Sequence, residues 1–398
     1  LARAYGECYG CTLNRGEYNI ALGELMSQGW EIVPEAKEAD LCLIYTCIVI
    51  DKTEKRVRRR IKQLKESGKR VVVGGCLAPF YQGERILPAF ANCDTEGVNF
   101  RGVNGSPRVI DGKRAIVPIS TGCASNCTYC VTKLARGGLK SYPVDSMIQD
   151  VKSCVERGAK EILLTSQDCG AFGFDNGQNI IDLVSRISEL EGDFMVRIGM
   201  MNPSSIGFSI GELFDHEHIF KFLHLPLQSG SDDVLRRMGR RYTVEEFRSI
   251  LDGYRRGVLS TDLIVGFPGE TDDDFQETIK AVEDIRPDIM NITRFSPRPG
   301  TKAFEMDGKI HGRISKERSR ILTRLSKKIG SEINSKWVGK RAKVIITERR
   351  EDKKRRWMGR TESYKPLVFD LDGVELGSWV EARIVGHTSS YLIGEPCI

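Results

Sequence analysis

The sequence predicts an α/β protein in three parts: an N-terminal open parallel α/β sheet, a central partial (β/α) barrel and a small all-β barrel at the C-terminus. Three observations carry this. Apolar strand-like runs alternate with helical stretches through most of the chain, which argues for parallel strands joined by crossover helices. Cysteines and polar turn residues recur at the C-terminal ends of those runs. Beyond Trp337 the pattern changes to short β-rich runs. The parts are assigned to residues 1–106, 107–334 and 335–398.

The first part reads as strand Ala2–Tyr9, helix Asn19–Gly29, strand Leu41–Thr46, a strongly basic helix Thr53–Ser67 and strand Arg70–Gly74. Cys11, Cys47 and Cys76 each follow a strand. In an open parallel sheet the strand C-termini share the edge where ligands bind, so three distant sulfurs converge. One such cysteine would pass as a core residue; three at equivalent positions point to a metal or cluster site. Cys8 and Cys42 lie within strands and read as core.

Ser106–Lys113 reads as a linker. The second part then opens with strand Ala115–Ile119, followed by Cys123, Cys127 and Cys130 at C-x3-C-x2-C spacing. Three thiolates on one loop can hold three irons of a cubane cluster, whereas such a cluster normally takes four cysteines. One iron is then open for chemistry, or a fourth ligand comes from elsewhere. Structural zinc is the alternative, but it wants a closed tetrahedral set. Further strands are expected at Glu161–Thr165, Met195–Gly199, Phe222–Leu225, Ser260–Val265 and Ile289–Arg294, with helices at Ile180–Leu190, Val244–Tyr254 and Phe275–Ile285. In such barrels the chemistry lies at the strand C-termini. Arg197, inside a strand, has two readings: pairing with a ligand carboxylate, or bridging to a barrel acid.

The third part is preceded by an amphipathic helix, Ser315–Trp337, with Ser315 as the expected N-cap. Strands are expected at Ala342–Thr347, Trp357–Thr361, Leu367–Leu371, Trp379–Val385 and Ser390–Ile393. The net charge of +6 is uneven. Residues 309–360 carry a net +14, leaving −8 elsewhere. A basic block on an otherwise acidic protein suggests a polyanionic partner. Its phosphate-contact candidates are Arg349, Arg350, Lys353, Lys354, Arg355, Arg356 and Arg360, with Tyr364 to stack on unpaired bases.

Composition narrows the class. Hydrophobic content of 40% and charged content of 29% fit a globular chain rather than a disordered one. No apolar run approaches the ~20 residues of a membrane span. Twelve cysteines are too sparse for a disulfide scaffold, and no signal segment opens the chain, so a reducing cytoplasm is expected. The start at Leu1, in a strand-like run, suggests that a few residues precede it.

The stretch Ser120–Cys130 resembles the signature of the radical S-adenosylmethionine superfamily. The resemblance implies that the open iron chelates S-adenosylmethionine, whose cleavage gives a 5′-deoxyadenosyl radical, and that Tyr129 lies near the adenine. Gly10–Asn14, Thr46–Glu54 and Gly74–Ala78 resemble the three cysteine motifs of the methylthiotransferase N-terminal domain, which bind an auxiliary [4Fe–4S] cluster. One departure is Tyr45, where that family usually has Asn. Thr261–Thr271 and His224–Ser231 resemble further methylthiotransferase motifs. By the same resemblance Ser166, Gln167, Asp168, Gln228 and Arg197 are cofactor contacts. Thr165–Gly173 is similar to the archaeal and eukaryotic branch acting on threonylcarbamoyladenosine in tRNA, with Cys169 not a ligand. The C-terminal part resembles the TRAM domain, an RNA-binding barrel.

The resemblance thus implies two [4Fe–4S] clusters, S-adenosylmethionine, a tRNA anticodon stem-loop as substrate, a flavodoxin or ferredoxin as electron donor, and a monomer. Methylthiolation of isopentenyladenosine or of a ribosomal protein side chain, and a zinc-stabilised RNA-binding protein, are the alternatives.

Overall fold

The computed structural model describes residues 2–80, 93–94, 99–100, 105, 107–254, 257–350 and 356–397. Its first unit contains β1 (Arg3–Cys8), α1 (Thr12–Ser27), β2 (Glu31–Ile32), β3 (Leu41–Thr46), α2 (Asp51–Glu66) and β4 (Arg70–Gly75). The strands form a parallel sheet in the order β2-β1-β3-β4. All six residues of β3 are buried. Alternate side chains point to opposite faces of a strand, so Leu41, Leu43 and Tyr45 pack with Tyr18, Leu22 and Leu25 of α1. Cys42 and Ile44 pack with Val57, Ile61 and Leu64 of α2. A strand covered on both faces reads as an unbroken apolar run. Cys42 is core, as expected.

The second unit has six parallel strands. β5 (Arg114–Pro118), β6 (Glu161–Thr165) and β7 (Met195–Ile198) form one sheet, in the order β7-β6-β5. β8 (Phe222–His224), β9 (Val258–Val265) and β10 (Ile289–Arg294) form a second, in that order. A bridge between Val196 and Ile219 and the bond from Met201 N–H to His224 O join them into a partial barrel. Its helices of six residues or more, before the one that leads to the third unit, are α3 (Val131–Arg136), α4 (Val144–Glu156), α5 (Ile180–Ser188), α6 (Asp232–Arg237), α7 (Val244–Asp252) and α8 (Asp272–Ile285) among the described residues. The expected linker is partly packed: Arg108 is buried against Asp150, and Val109 N–H donates to Asn19 O at 2.9 Å.

Helix α9 (Gly312–Ser335) leads to the third unit. It starts before the expected cap: His311 accepts from Arg313 N–H, and Ser315 is buried inside the helix. Strands β11 (Arg341–Arg349), β12 (Trp357–Thr361), β13 (Pro366–Phe369), β14 (Trp379–His387) and β15 (Leu392–Pro396) close a barrel in the order β11-β12-β13-β15-β14. Val344, Ile346, Leu367, Phe369, Ala382, Ile384 and Leu392 fill it.

This barrel is docked on the second unit. The Tyr364 hydroxyl donates to Glu161 at 2.5 Å, and Lys365 bridges Asp288 at 2.8 Å and donates to Asn334 at 2.6 Å. Among the described residues no helix is long and apolar enough to cross a membrane.

Candidate active site

The C-x3-C-x2-C loop leaves β5 through Gly122. Its φ is +71°, and a Cβ there would lie 1.8 Å from Gly138 O, so only glycine fits. The loop is tied down from several sides. Cys123 N–H donates to Gly137 O at 3.3 Å, and Lys133 donates to Cys123 O. Thr128 bonds through its N–H to Met238 O at 3.0 Å and through its hydroxyl to Arg237 O at 2.8 Å. Cys130 is the N-cap of α3. All three thiols are half-buried, and burial pushes Cys123 and Cys127 above the usual thiol range.

Residues at the ends of β6 and β8 face the same chemistry in different ways. The buried Asp168 accepts from Asn202 N–H at 2.9 Å, Gly170 N–H at 3.1 Å and the Ser205 hydroxyl at 2.7 Å. Burial nevertheless pushes its carboxyl up, against those donors. Asn202 in turn donates to the Ser125 hydroxyl at 2.9 Å, so Asp168 braces the cysteine loop. Ser166 Oγ accepts from Asp168 N–H at 3.0 Å. Cys169 is fully buried beside Ser166, the place of a core residue. Among the described residues, Gln167 and Gln228 each keep a buried amide oxygen with no partner, and Gln228 sits at φ +69°. An orphaned acceptor in a left-handed backbone is a costly arrangement that a ligand donor would repay.

Tyr129 packs edge-on against Phe267 at 6.2 Å, and its hydroxyl accepts from Arg240. It borders a cavity of about 860 Å³ that also includes Cys130, Ile264, Gly266 and Val49–Lys52 of the first unit. Arg240, whose guanidinium lies 5.7 Å from the Tyr129 ring, was not foreseen.

The second thiol set lies at the C-terminal edge of the first sheet. Cys11 follows β1, Cys47 follows β3 and Cys76 follows β4. Asn14 fixes this edge: its amide donates to Tyr9 O at 3.1 Å and to Thr46 O at 2.9 Å. Cys76 N–H donates to Thr46 O at 3.0 Å. Burial pushes the Cys76 thiol up to about 11, and the partly buried Cys8, the last residue of β1, up to about 12. Tyr45 belongs to the α1 core, edge-on to Tyr18 at 5.9 Å.

Arg136, at the end of α3, crosses from the signature loop to this edge. It donates to Cys76 Sγ at 3.2 Å, to Asn14 Oδ1 at 2.6 Å and to both oxygens of Glu17. Nothing in the local sequence pattern marks this role.

Both sets suit iron–sulfur clusters. Among the described residues no three such side chains are close enough to seat a single metal ion. A cubane places its thiolates on separate irons and so asks for a wider spacing. Two sets of three sulfurs match that donor chemistry better than a closed zinc site, which wants a fourth ligand.

A cavity of about 520 Å³ begins at Cys11 and runs along the barrel interior to the third unit. Arg197 lines this cavity and not the one beside Tyr129. Its guanidinium is 4.8 Å from the Phe222 ring and 5.1 Å from that of Tyr364. Tyr364 is a correction. It is buried with its hydroxyl on Glu161, so it cannot stack on an RNA base.

Of the other nucleic-acid candidates, Arg349 lies over Trp357 at 5.8 Å and Arg350 over Tyr391 at 5.8 Å. Arg356 is paired with Asp370 at 2.7 Å and Asp372 at 2.6 Å. Arg360 lines the cavity with Arg197. Lys353, Lys354 and Arg355 lie outside the described residues.

Family models match three segments: the uncharacterized protein family UPF0004 over residues 3–95, the Radical SAM superfamily over 117–282 and the TRAM domain over 334–397. A probable threonylcarbamoyladenosine tRNA methylthiotransferase of Pyrococcus abyssi is 40% identical over 99% of both chains. The chain belongs to the threonylcarbamoyladenosine tRNA methylthiotransferase family. The human threonylcarbamoyladenosine tRNA methylthiotransferase is 32% identical over 98% of this chain and 73% of its own. The radical S-adenosylmethionine methyltransferase TsrM from Kitasatospora setae shares the fold, with a TM-score of 0.56 at 13% identity over 76% of this chain and 73% of that one. Membership makes the protein a radical enzyme whose cofactors are S-adenosylmethionine and [4Fe–4S] clusters.

Proposed function

We propose that the protein methylthiolates C2 of N6-threonylcarbamoyladenosine beside the anticodon of tRNA. The observation that carries this reading is the pair of three-cysteine sets on separate units, with Arg136 reaching from α3 to Cys76, Cys11 lining a cavity of about 520 Å³ and Cys130 lining another of about 860 Å³. Cys123, Cys127 and Cys130 would hold one cluster, and Cys11, Cys47 and Cys76 the other. When bound, the cofactors supply hydrogen abstraction at C2, sulfur and a methyl group.

The chain's own residues bind and position. Lys133 and Asn202 hold the signature loop. Arg240 fixes the Tyr129 ring where an adenine would lie. The unpartnered amide oxygens of Gln167 and Gln228 are acceptors for the cofactor's ammonium or hydroxyl groups. Arg349, Arg350, Lys353, Lys354, Arg355 and Arg356 supply the phosphate contacts that a tRNA requires. The enzyme works as a cytoplasmic monomer, with a flavodoxin or ferredoxin as electron donor.

The test has two stages. Anaerobically purified protein should carry about eight iron and eight sulfide per chain, as two cubanes require. It should then convert a threonylcarbamoyladenosine-bearing anticodon stem-loop to its methylthio form, read by nucleoside mass spectrometry. Zinc without sulfide would overturn the radical reading. Fully loaded protein that modifies only isopentenyladenosine or a ribosomal protein would overturn the substrate.

A further inference from the structure

Four arginines line the cavity that begins at Cys11: Arg15, Arg114, Arg197 and Arg360. Arg114 is paired with Glu161 at 2.6 Å. Arg197 and Arg360 have no ion pair or hydrogen bond among the described residues, and the Nε of each is buried without a partner. They share one ring: Arg360 lies 4.7 Å from the Tyr364 centroid and Arg197 5.1 Å. Of the acids nearby, Asp111 lines the cavity but pairs with neither arginine, and the other two are engaged. Glu161 takes Arg114 and the Tyr364 hydroxyl. Asp262 takes His224 at 3.1 Å and Asn291 at 2.9 Å.

Both residues are only partly buried, with the rest of each guanidinium open to the cavity, but a buried polar atom such as either Nε is ordinarily bonded. Two like charges against one aromatic ring, facing a cavity, therefore mark a place for an anion. Planar guanidinium groups match a carboxylate in bidentate fashion. A volume of about 520 Å³ lies within the range of small-molecule sites.

Resting on the proposed reaction, we propose that Arg197 and Arg360 bind the carboxylate of the threonylcarbamoyl group and so select the substrate base. The base must reach Cys11's cluster at one end of the cavity. Its N6 substituent then extends along the barrel interior toward the two arginines. An isopentenyl group, having no charge, would give neither guanidinium a partner. Loss of that interaction is the kind of difference by which a polar site rejects an analogue lacking the polar group.

The same anionic chemistry could come from a backbone phosphate of the RNA, and the experiment separates the two. Three anticodon stem-loops are compared on loaded wild-type enzyme: threonylcarbamoyladenosine, its carboxamide in place of the carboxylate, and isopentenyladenosine. Wild type should prefer the carboxylate over the carboxamide by roughly ten- to a hundred-fold in KM, the range of a charge-assisted hydrogen bond.

In Arg197→Gln and Arg360→Gln that preference should shrink toward unity, and Arg197→Lys should restore part of it. Iron and sulfide content checks that each variant is folded. The wild-type comparison needs no variant, so a misfolded one does not rescue the idea. Equal use of carboxylate and carboxamide by wild type overturns the subsite. So does an equal loss on both RNAs in the variants, which would instead mark a phosphate contact. Failure of wild type to thiolate threonylcarbamoyladenosine at all, with isopentenyladenosine thiolated, refutes the proposed function instead.

Discussion

Arg136→Met should loosen the first unit far more than its single position suggests. The Arg136 side chain is 1% exposed and that of Glu17 is 4% exposed. Burial alone would lower the arginine's pKa; the Glu17 carboxylate, followed by Cys76, holds it well up. Removing the guanidinium leaves Glu17 charged in the interior and strips Asn14 Oδ1 of a 2.6 Å donor. Breaking a buried pair from one side costs roughly 3–5 kcal/mol.

Glu17 lies on α1, so the loss belongs to local opening of that helix. Hydrogen exchange of α1 amides in the apoprotein reads it directly. Exchange should quicken by roughly a hundred- to several-thousand-fold, at tenfold per ~1.4 kcal/mol. The double variant Arg136→Met, Glu17→Leu should recover most of the protection, because no unpaired charge remains. Exchange changed by less than about threefold, a gap of under 1 kcal/mol, would refute the argument. A double variant as poor as the single one would show that Glu17 is not where the cost arises.

Other outcomes follow from the same geometry. Cys123→Ala should abolish S-adenosylmethionine cleavage, whereas Cys47→Ala should keep uncoupled cleavage and lose thiolation; full product from both would sink the two-cluster scheme. Gly122→Ala puts a Cβ 1.8 Å from Gly138 O at φ +71°, so iron should be lost from the signature loop while the other set keeps its share. Tyr364→Phe removes the hydroxyl on Glu161 and should cost about 1–3 kcal/mol in docking of the C-terminal barrel. A Tyr364→Leu change, which also removes the ring, should leave RNA affinity at the wild-type value, which a stacking role would not allow.

Burial would raise Asp262, but the hydrogen bond and charge of His224, then Asn291, hold it below the ordinary carboxylate value. Its stabilisation is therefore complete above the unfolded pKa of about 3.9 and lost as pH falls through the folded value. In Asp262→Asn the melting temperature should fall less steeply across that acid range; an unchanged slope would show that the group contributes nothing.

Much of this protein could be read from its residues. Strands Leu41–Thr46, Glu161–Thr165, Ile289–Arg294 and Trp357–Thr361 have the expected bounds, because apolar or β-branched runs end there at turn residues. Cysteines just past the strands then mark one sheet edge. Other signals were present but overlooked. Helix α4 buries Val144, Met147, Ile148, Val151 and Cys154, an ordinary helical period. The first turns of α1 begin directly after Cys11 in a polar stretch, so periodicity placed its start too late.

Distant pairings were beyond reach. Arg136 meets residues more than a hundred positions away, and Tyr364 meets Glu161 at a separation of 203. A tyrosine beside a lysine in a basic block has the composition of an RNA contact. Only its tertiary neighbours make it a peg.

That peg has a consequence for how RNA is handled. A binding domain on a flexible tether raises the local concentration of its ligand and leaves the second contact to a search. Here Tyr364 and Lys365 fasten the basic barrel to the floor of the catalytic unit. An RNA gripped there is held at a fixed span from Cys11, like work clamped on a bench. The enzyme would then act as a ruler, selecting the nucleotide by its distance along the folded RNA as well as by its chemistry.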